Sequence, residues 1–112
     1  MGIFSYFFGK SDPPHIVLAT FNFKTIDDKD TFLQLLDGPD GLEATRNFTG
    51  CRLIECLSDN SDEKRLVIRQ EWDKQEDHEA YFKMREESGM IENLKDMMDG
   101  EIQVMRFSKL EK

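Results

Sequence analysis

Residues 66–89 read LVIRQEWDKQEDHEAYFKMREESG, and their reading decides the fold. Up to Trp72 the pattern has period two. Leu66, Ile68, Gln70 and Trp72 share one face of a strand, and Val67, Arg69 and Glu71 share the other. Beyond it the composition becomes that of a charged helix. Asp73 is expected as the N-cap, with Glu76 completing a capping-box pair. Glu76, Asp77 and Glu79 place negative charge where the helix dipole favours it, Lys83 and Arg85 follow in the second half, and Gly89 stops the helix. Asp77, Tyr81, Met84, Arg85 and Ser88 fall on one broad face at steps of three and four. A large indole at a strand end, facing a helix that carries Tyr81 and Arg85, is the natural candidate for a binding site.

Upstream, His15–Lys24 (HIVLATFNFK) predicts a first strand that is apolar on both faces. Ile16 and Leu18 lie on one face, Val17, Ala19, Phe21 and Phe23 on the other. Asp27 or Asp28 is expected to cap a helix running to Asp37, with Phe32, Leu33, Leu35 and Leu36 as its apolar stripe. Gly38-Pro39 ends it, and Gly41–Phe48 adds a short second helical piece. Cys51–Ser58 and the strand from Arg65 form an antiparallel hairpin across the polar turn Asp59–Glu63. After the break at Ser88-Gly89, Met90, Ile91, Leu94, Met97 and Met98 make a further amphipathic segment. Residues Glu101–Leu110 close as the last strand, Ile102, Val104 and Arg106 alternating with Gln103, Met105 and Phe107. The order β-α-β-β-α-β is the split β-α-β, ferredoxin-like arrangement: an α+β domain with a four-stranded antiparallel sheet. Helices cover one sheet face. The other is too apolar for a lone subunit, so two copies are expected to pack sheet to sheet, with Arg69 and Glu71 meeting the partner.

A chain of 112 residues predicts one domain with its own core. The net charge of -8 argues against nucleic acid and anionic membranes as main partners and fits a cytoplasmic protein. Cys51 and Cys56 sit five apart in one strand, on opposite faces and roughly 17 Å from each other, too far to bridge. They read as reduced core thiols. Residues 1–14 (MGIFSYFFGKSDPP) read as an arm closed by the stiff Asp12-Pro13-Pro14, with residues 15–112 as the domain. The arm is expected to pack on the domain or a partner, membrane contact being a less favoured use.

The run from Arg69 to Gly89, with Trp72 at a strand end and then Tyr81, Arg85 and Gly89 along the next helix, resembles the antibiotic biosynthesis monooxygenase-like (ABM) domains of the dimeric α+β barrel superfamily. The resemblance spans residues 15–110. It implies a homodimer whose pocket lies between sheet and helices near Trp72. The family includes cofactor-free oxygenases of polycyclic aromatics and haem-degrading monooxygenases. The haem-degrading branch uses a first-strand asparagine and a histidine on the helix after the tryptophan. Ala19 and Phe82 stand near those positions here, with Asn22 three residues late and His78 one turn early.

The resemblance therefore implies a small-molecule oxygenase acting on an aromatic, quinone-like or other apolar substrate, with Trp72, Tyr81 and Arg85 as its catalytic residues. Asn22, His78 and Phe21 are the candidates for substrate binding. A non-catalytic ligand- or partner-binding module of the same fold is the alternative, and a haem protein is the second alternative. The residues read individually leave structural roles open. Trp72 can be a core anchor whose N–H, facing a cavity, donates to a substrate or peroxide oxygen. His78, between Asp77 and Glu79, reads as a surface histidine, and Arg85 can pair with Asp77, Glu86 or Glu101. No Cys/His metal spacing, phosphate loop or organic-cofactor motif is present, so neither metal nor cofactor is expected, haem being possible but not favoured.

Overall fold

The structure, a computed structural model, describes residues 12–112; the arm expected over residues 1–14 lies, but for its last three residues, outside the described part. The elements follow as β1 (His15–Asn22), α1 (Ile26–Leu36), α2 (Leu42–Arg46), β2 (Cys51–Ser58), β3 (Arg65–Trp72), α3 (Gln75–Glu87), α4 (Met90–Leu94) and β4 (Gln103–Ser108). The four strands form one antiparallel sheet in the order β2-β3-β1-β4. This is the expected ferredoxin-like α+β fold, with each helical half broken in two.

Alternation in the sequence becomes burial in the sheet. On β3, Leu66, Ile68, Gln70 and Trp72 are all buried, and on β1 Val17, Ala19 and Phe21 are. These face the helices. One cluster gathers Phe21, Phe23, Phe32, Leu36, Ile68 and Leu94 among others, and a second gathers Val17, Trp72 and Tyr81 with Phe48 and Met84 against them. On the opposite face Leu18 stands between Arg69 and Met105, and Ile16 between Glu71 and Phe107. Met105, Phe107 and Leu57 are exposed there. Arg69 pairs within its own chain, at 2.7 Å from Glu71 and 3.5 Å from Glu55.

Several local expectations are corrected. Helix α1 is capped by Thr25, whose side chain accepts from the Asp28 N–H at 3.0 Å, while Asp27 and Asp28 occupy the first turn. Either placement suits the helix dipole, so only the backbone geometry at Thr25 decides. Leu35 points to solvent, and Lys29 takes a buried position instead. Its ammonium donates to the Ser58 hydroxyl and the Glu63 carbonyl, tying α1 to the β2–β3 hairpin. Helix α3 begins one residue later than expected, with Lys74 at the cap and no capping side chain. Asp73 is drawn away from capping by Arg52, whose Nε lies 2.6 Å from its carboxylate.

The cysteines are corrected too. Cys51 pairs with Trp72 and Cys56 with Ile68, because the register slips by one residue between Cys51 and Leu53. A bulge of this kind turns the strand's alternation over, so both thiols face the core rather than opposite sides. Both are free, and burial pushes both up from the ordinary thiol value, which keeps them protonated and unreactive.

Candidate functional site

Where α3 crosses the sheet it lays His78, Tyr81 and Arg85 inward, at steps of three and four. The buried face keeps the expected Tyr81 and Arg85 but takes His78 in place of Asp77. His78 is 1% exposed, which overturns its reading as a surface histidine. Steps of three and four back from Tyr81 reach both His78 and Asp77. The choice between them comes from packing: the imidazole meets Trp72 edge-on at 5.7 Å, and its Nδ1 lies 3.0 Å from Arg106 Nη1 on β4. Burial and the adjacent Arg106 and His15 lower its pKa to about 4, so the ring is neutral near pH 7.

Arg85 is buried yet belongs to none of the ion pairs among the described residues. The carboxylates expected as its partners do not reach it. Instead Nε donates to the Tyr81 hydroxyl at 3.0 Å, Nη1 to the Asp40 carbonyl at 2.8 Å, and Nη2 to the Gly41 carbonyl and the Thr45 hydroxyl, both at 3.0 Å. Thr45 and Tyr81 share a further hydrogen bond of 2.8 Å. Gly41 makes this clasp possible. A Cβ at that position would stand 2.1 Å from the Leu36 carbonyl oxygen, so only glycine lets the α1–α2 turn fold close enough to present its carbonyls.

Trp72 is wholly buried, and its indole N–H donates to Gln70 Oε1 at 2.9 Å, so the expected free donor is already engaged. Its ring packs on Tyr81 at 5.1 Å and edge-on against Phe48. Between sheet and helices lies a partly open cavity of about 50 Å³, apolar along Phe21, Phe32, Ile54, Ile68 and Leu94, and polar at Gln70, Thr45, His78, Tyr81 and Arg85. An outer groove of about 450 Å³ runs alongside, and Phe32, Arg85, Met90 and Leu94 line both spaces. The structure thus brings Phe21, His78, Tyr81 and Arg85 to one cavity, with Trp72 packed behind it. It does not bring Asn22, which lies at the far end of β1 and accepts from Arg65 Nε at 2.8 Å. The sequence reading missed Gln70 and Thr45 as site residues. A polar side chain on the buried face of β3 was a visible signal for Gln70, whereas Thr45 carried none.

No family model matches the chain, and no curated protein does. Solved structures do. A monooxygenase of Streptomyces coelicolor in complex with the ligand Nanaomycin D is 14% identical with a TM-score of 0.72, over 89% of this chain and 90% of that one. An antibiotic biosynthesis monooxygenase is 16% identical with a TM-score of 0.70, over 86% of this chain and 98% of that one. The fold is that of the antibiotic biosynthesis monooxygenases. A dimeric ferredoxin-like protein from an uncultured marine organism shares this ABM fold at 16% identity and a TM-score of 0.71, over 90% of this chain and 91% of that one. No helix among the described residues is long and apolar enough to cross a membrane.

Proposed function

We propose that the protein is a homodimer that binds a small, largely apolar aromatic or quinone-like molecule between sheet and helices, and that it oxidises this molecule with O2 without a cofactor of its own. The observation that carries this reading is the apolar cavity closed at one end by the Arg85–Tyr81–Thr45 cluster. A buried guanidinium held only by neutral acceptors is a standing positive charge beside a largely apolar cavity. It stabilises an enolate or phenolate once the substrate loses a proton. The electrons come from the substrate: an activated CH2 and O2 become C=O and H2O, one oxygen atom entering the substrate and the other leaving as water with the two hydrogens. The ligand-bound monooxygenase of the same fold supports a small-molecule site in this architecture.

Size sets a condition. About 50 Å³ holds a few water molecules, whereas ligand sites run to several hundred. A haem is out of proportion to this space, so no haem chemistry is assigned to it. An aromatic ligand needs the partition of Met90, Leu94 and Phe32 to retreat, joining cavity and outer groove. Methionine, unbranched and flexible, suits a wall that repacks. The exposed apolar residues around Leu18 on the other sheet face support the dimer, as does the dimeric neighbour.

The engaged indole of Trp72 favours a second reading, a binding module without oxygen chemistry. Oxygen uptake with a panel of anthrones and phenols separates the two. The oxygenase reading expects uptake with at least one of them and its loss in Arg85→Met. Ligand binding with no uptake across the panel selects the module.

A further inference from the structure

We propose that the wall of the cavity beside Trp72 carries a pair of hydrogen-bond donors, Gln70 Nε2 from β3 and His78 Nε2 from α3, and that the ligand therefore presents acceptor oxygen, as a carbonyl, quinone or phenolate, to that wall. The proposal rests on the cavity being the ligand site and adds what the ligand must offer it.

An indole N–H can only donate, so the atom of Gln70 at 2.9 Å from Trp72 Nε1 is the amide oxygen. That fixes the amide, and its NH2 is left with no protein acceptor among the described residues. A guanidinium likewise only donates, so His78 Nδ1, at 3.0 Å from Arg106, is the unprotonated nitrogen. The neutral ring then carries its proton on Nε2, which also has no protein acceptor among the described residues. Gln70 is 4% exposed and His78 1%, so neither group is open to bulk solvent in the ordinary way. No polar side-chain atom among the described residues is both sealed off and unpaired. Both nitrogens therefore reach free space, and both residues line the cavity.

Two residues behind them act as positioning groups. Trp72 holds the Gln70 amide by its N–H and braces His78 by its ring, and Arg106 sets the His78 tautomer. Arg85, two turns further along α3 from His78, also only donates. What remains to accept is the pair of hydroxyls on Tyr81 and Thr45, which already bond each other. A ligand carrying acceptor oxygens satisfies this wall; a pure hydrocarbon leaves the donors of Gln70 and His78 unpaired.

Acetophenone and α-methylstyrene test this, since they differ by an oxygen in place of a CH2. Dissociation constants come from ligand-observed NMR. The wild-type protein is expected to prefer acetophenone by about tenfold, the effect of one or two buried hydrogen bonds. Gln70→Glu keeps an acceptor for Trp72 but turns an oxygen toward the ligand, and is expected to abolish or invert that preference; Gln70→Leu and His78→Phe are expected to reduce it. An unchanged ratio in all three variants overturns the donor pair while leaving the cavity as a ligand site. Failure of both probes to bind removes the site itself, and the ligand class with it. A ligand-free measurement is independent of both: imidazole nitrogen NMR at pH 7 is expected to show His78 protonated on Nε2 only, with loss of that preference in Arg106→Leu and its return in Arg106→Lys. Protonation on Nδ1 in the wild type overturns the proposal.

Discussion

Buried polar side chains carry the energetics at the scale of single residues. Tyr81→Phe preserves the ring packed against Trp72 and removes only the hydroxyl that Arg85 and Thr45 share. Urea unfolding is expected to show a loss of about 1 kcal/mol. Arg85→Met removes four hydrogen bonds and takes the Arg85 donor from the Asp40 carbonyl, while the Gly41 carbonyl keeps the Thr45 N–H, and about 2–3 kcal/mol is expected. His78 predicts an acid limb. Its folded pKa of about 4 lies below the unfolded 6.5, so between these values the unfolded chain binds more protons. The neutral ring's contribution is complete above pH 6.5 and is lost as the pH falls toward 4, amounting to about 3 kcal/mol at the acid end. Unfolding free energies measured across that window should fall in the wild type and flatten in His78→Phe; parallel curves would remove His78 as the cause.

Two glycines act at the scale of elements, for different reasons. Gly89 separates α3 from α4 with a φ of +86°, and nothing stands within 4 Å of where its Cβ would be. Gly89→Ala is therefore expected to carry only left-handed strain, about 1 kcal/mol. Gly41→Ala meets the Leu36 carbonyl and displaces the turn that clasps Arg85, so it is expected to cost more than Gly89→Ala and to weaken ligand binding. Thermal unfolding ranks the two, and equal losses would place the Arg85 clasp outside the stability of the α1–α2 turn. The elements themselves were legible: period two up to Trp72, steps of three and four after it, and a glycine break at 89 are all local signals. The caps at Thr25 and Lys74 were not, because Asp and Thr compete on nearly equal terms and Arg52, distant in sequence, claims Asp73.

The molecule as a whole leaves one sheet face apolar and one face carrying the cavity. If two copies pack on the first, light scattering should give twice 13.1 kDa, and Leu18→Asp, placed between Arg69 and Met105, should halve it. A wild-type particle of 13.1 kDa at high concentration would separate the cavity reading from the dimer.

The sequence by itself determined the order of strands and helices and the alternation that buries one face of β3, and hence the ferredoxin-like sheet. Those features rest on repeats of two, three and four residues, and side chains that close together bury the same face wherever the chain goes. Only the tertiary structure decided the site. It buried His78 in place of Asp77, turned Gln70's oxygen to Trp72, and gave Arg85 the carbonyls of Asp40 and Gly41, 45 and 44 residues away. A buried polar group takes whichever partner the fold brings within about 3 Å, and no local period in the chain encodes that partner.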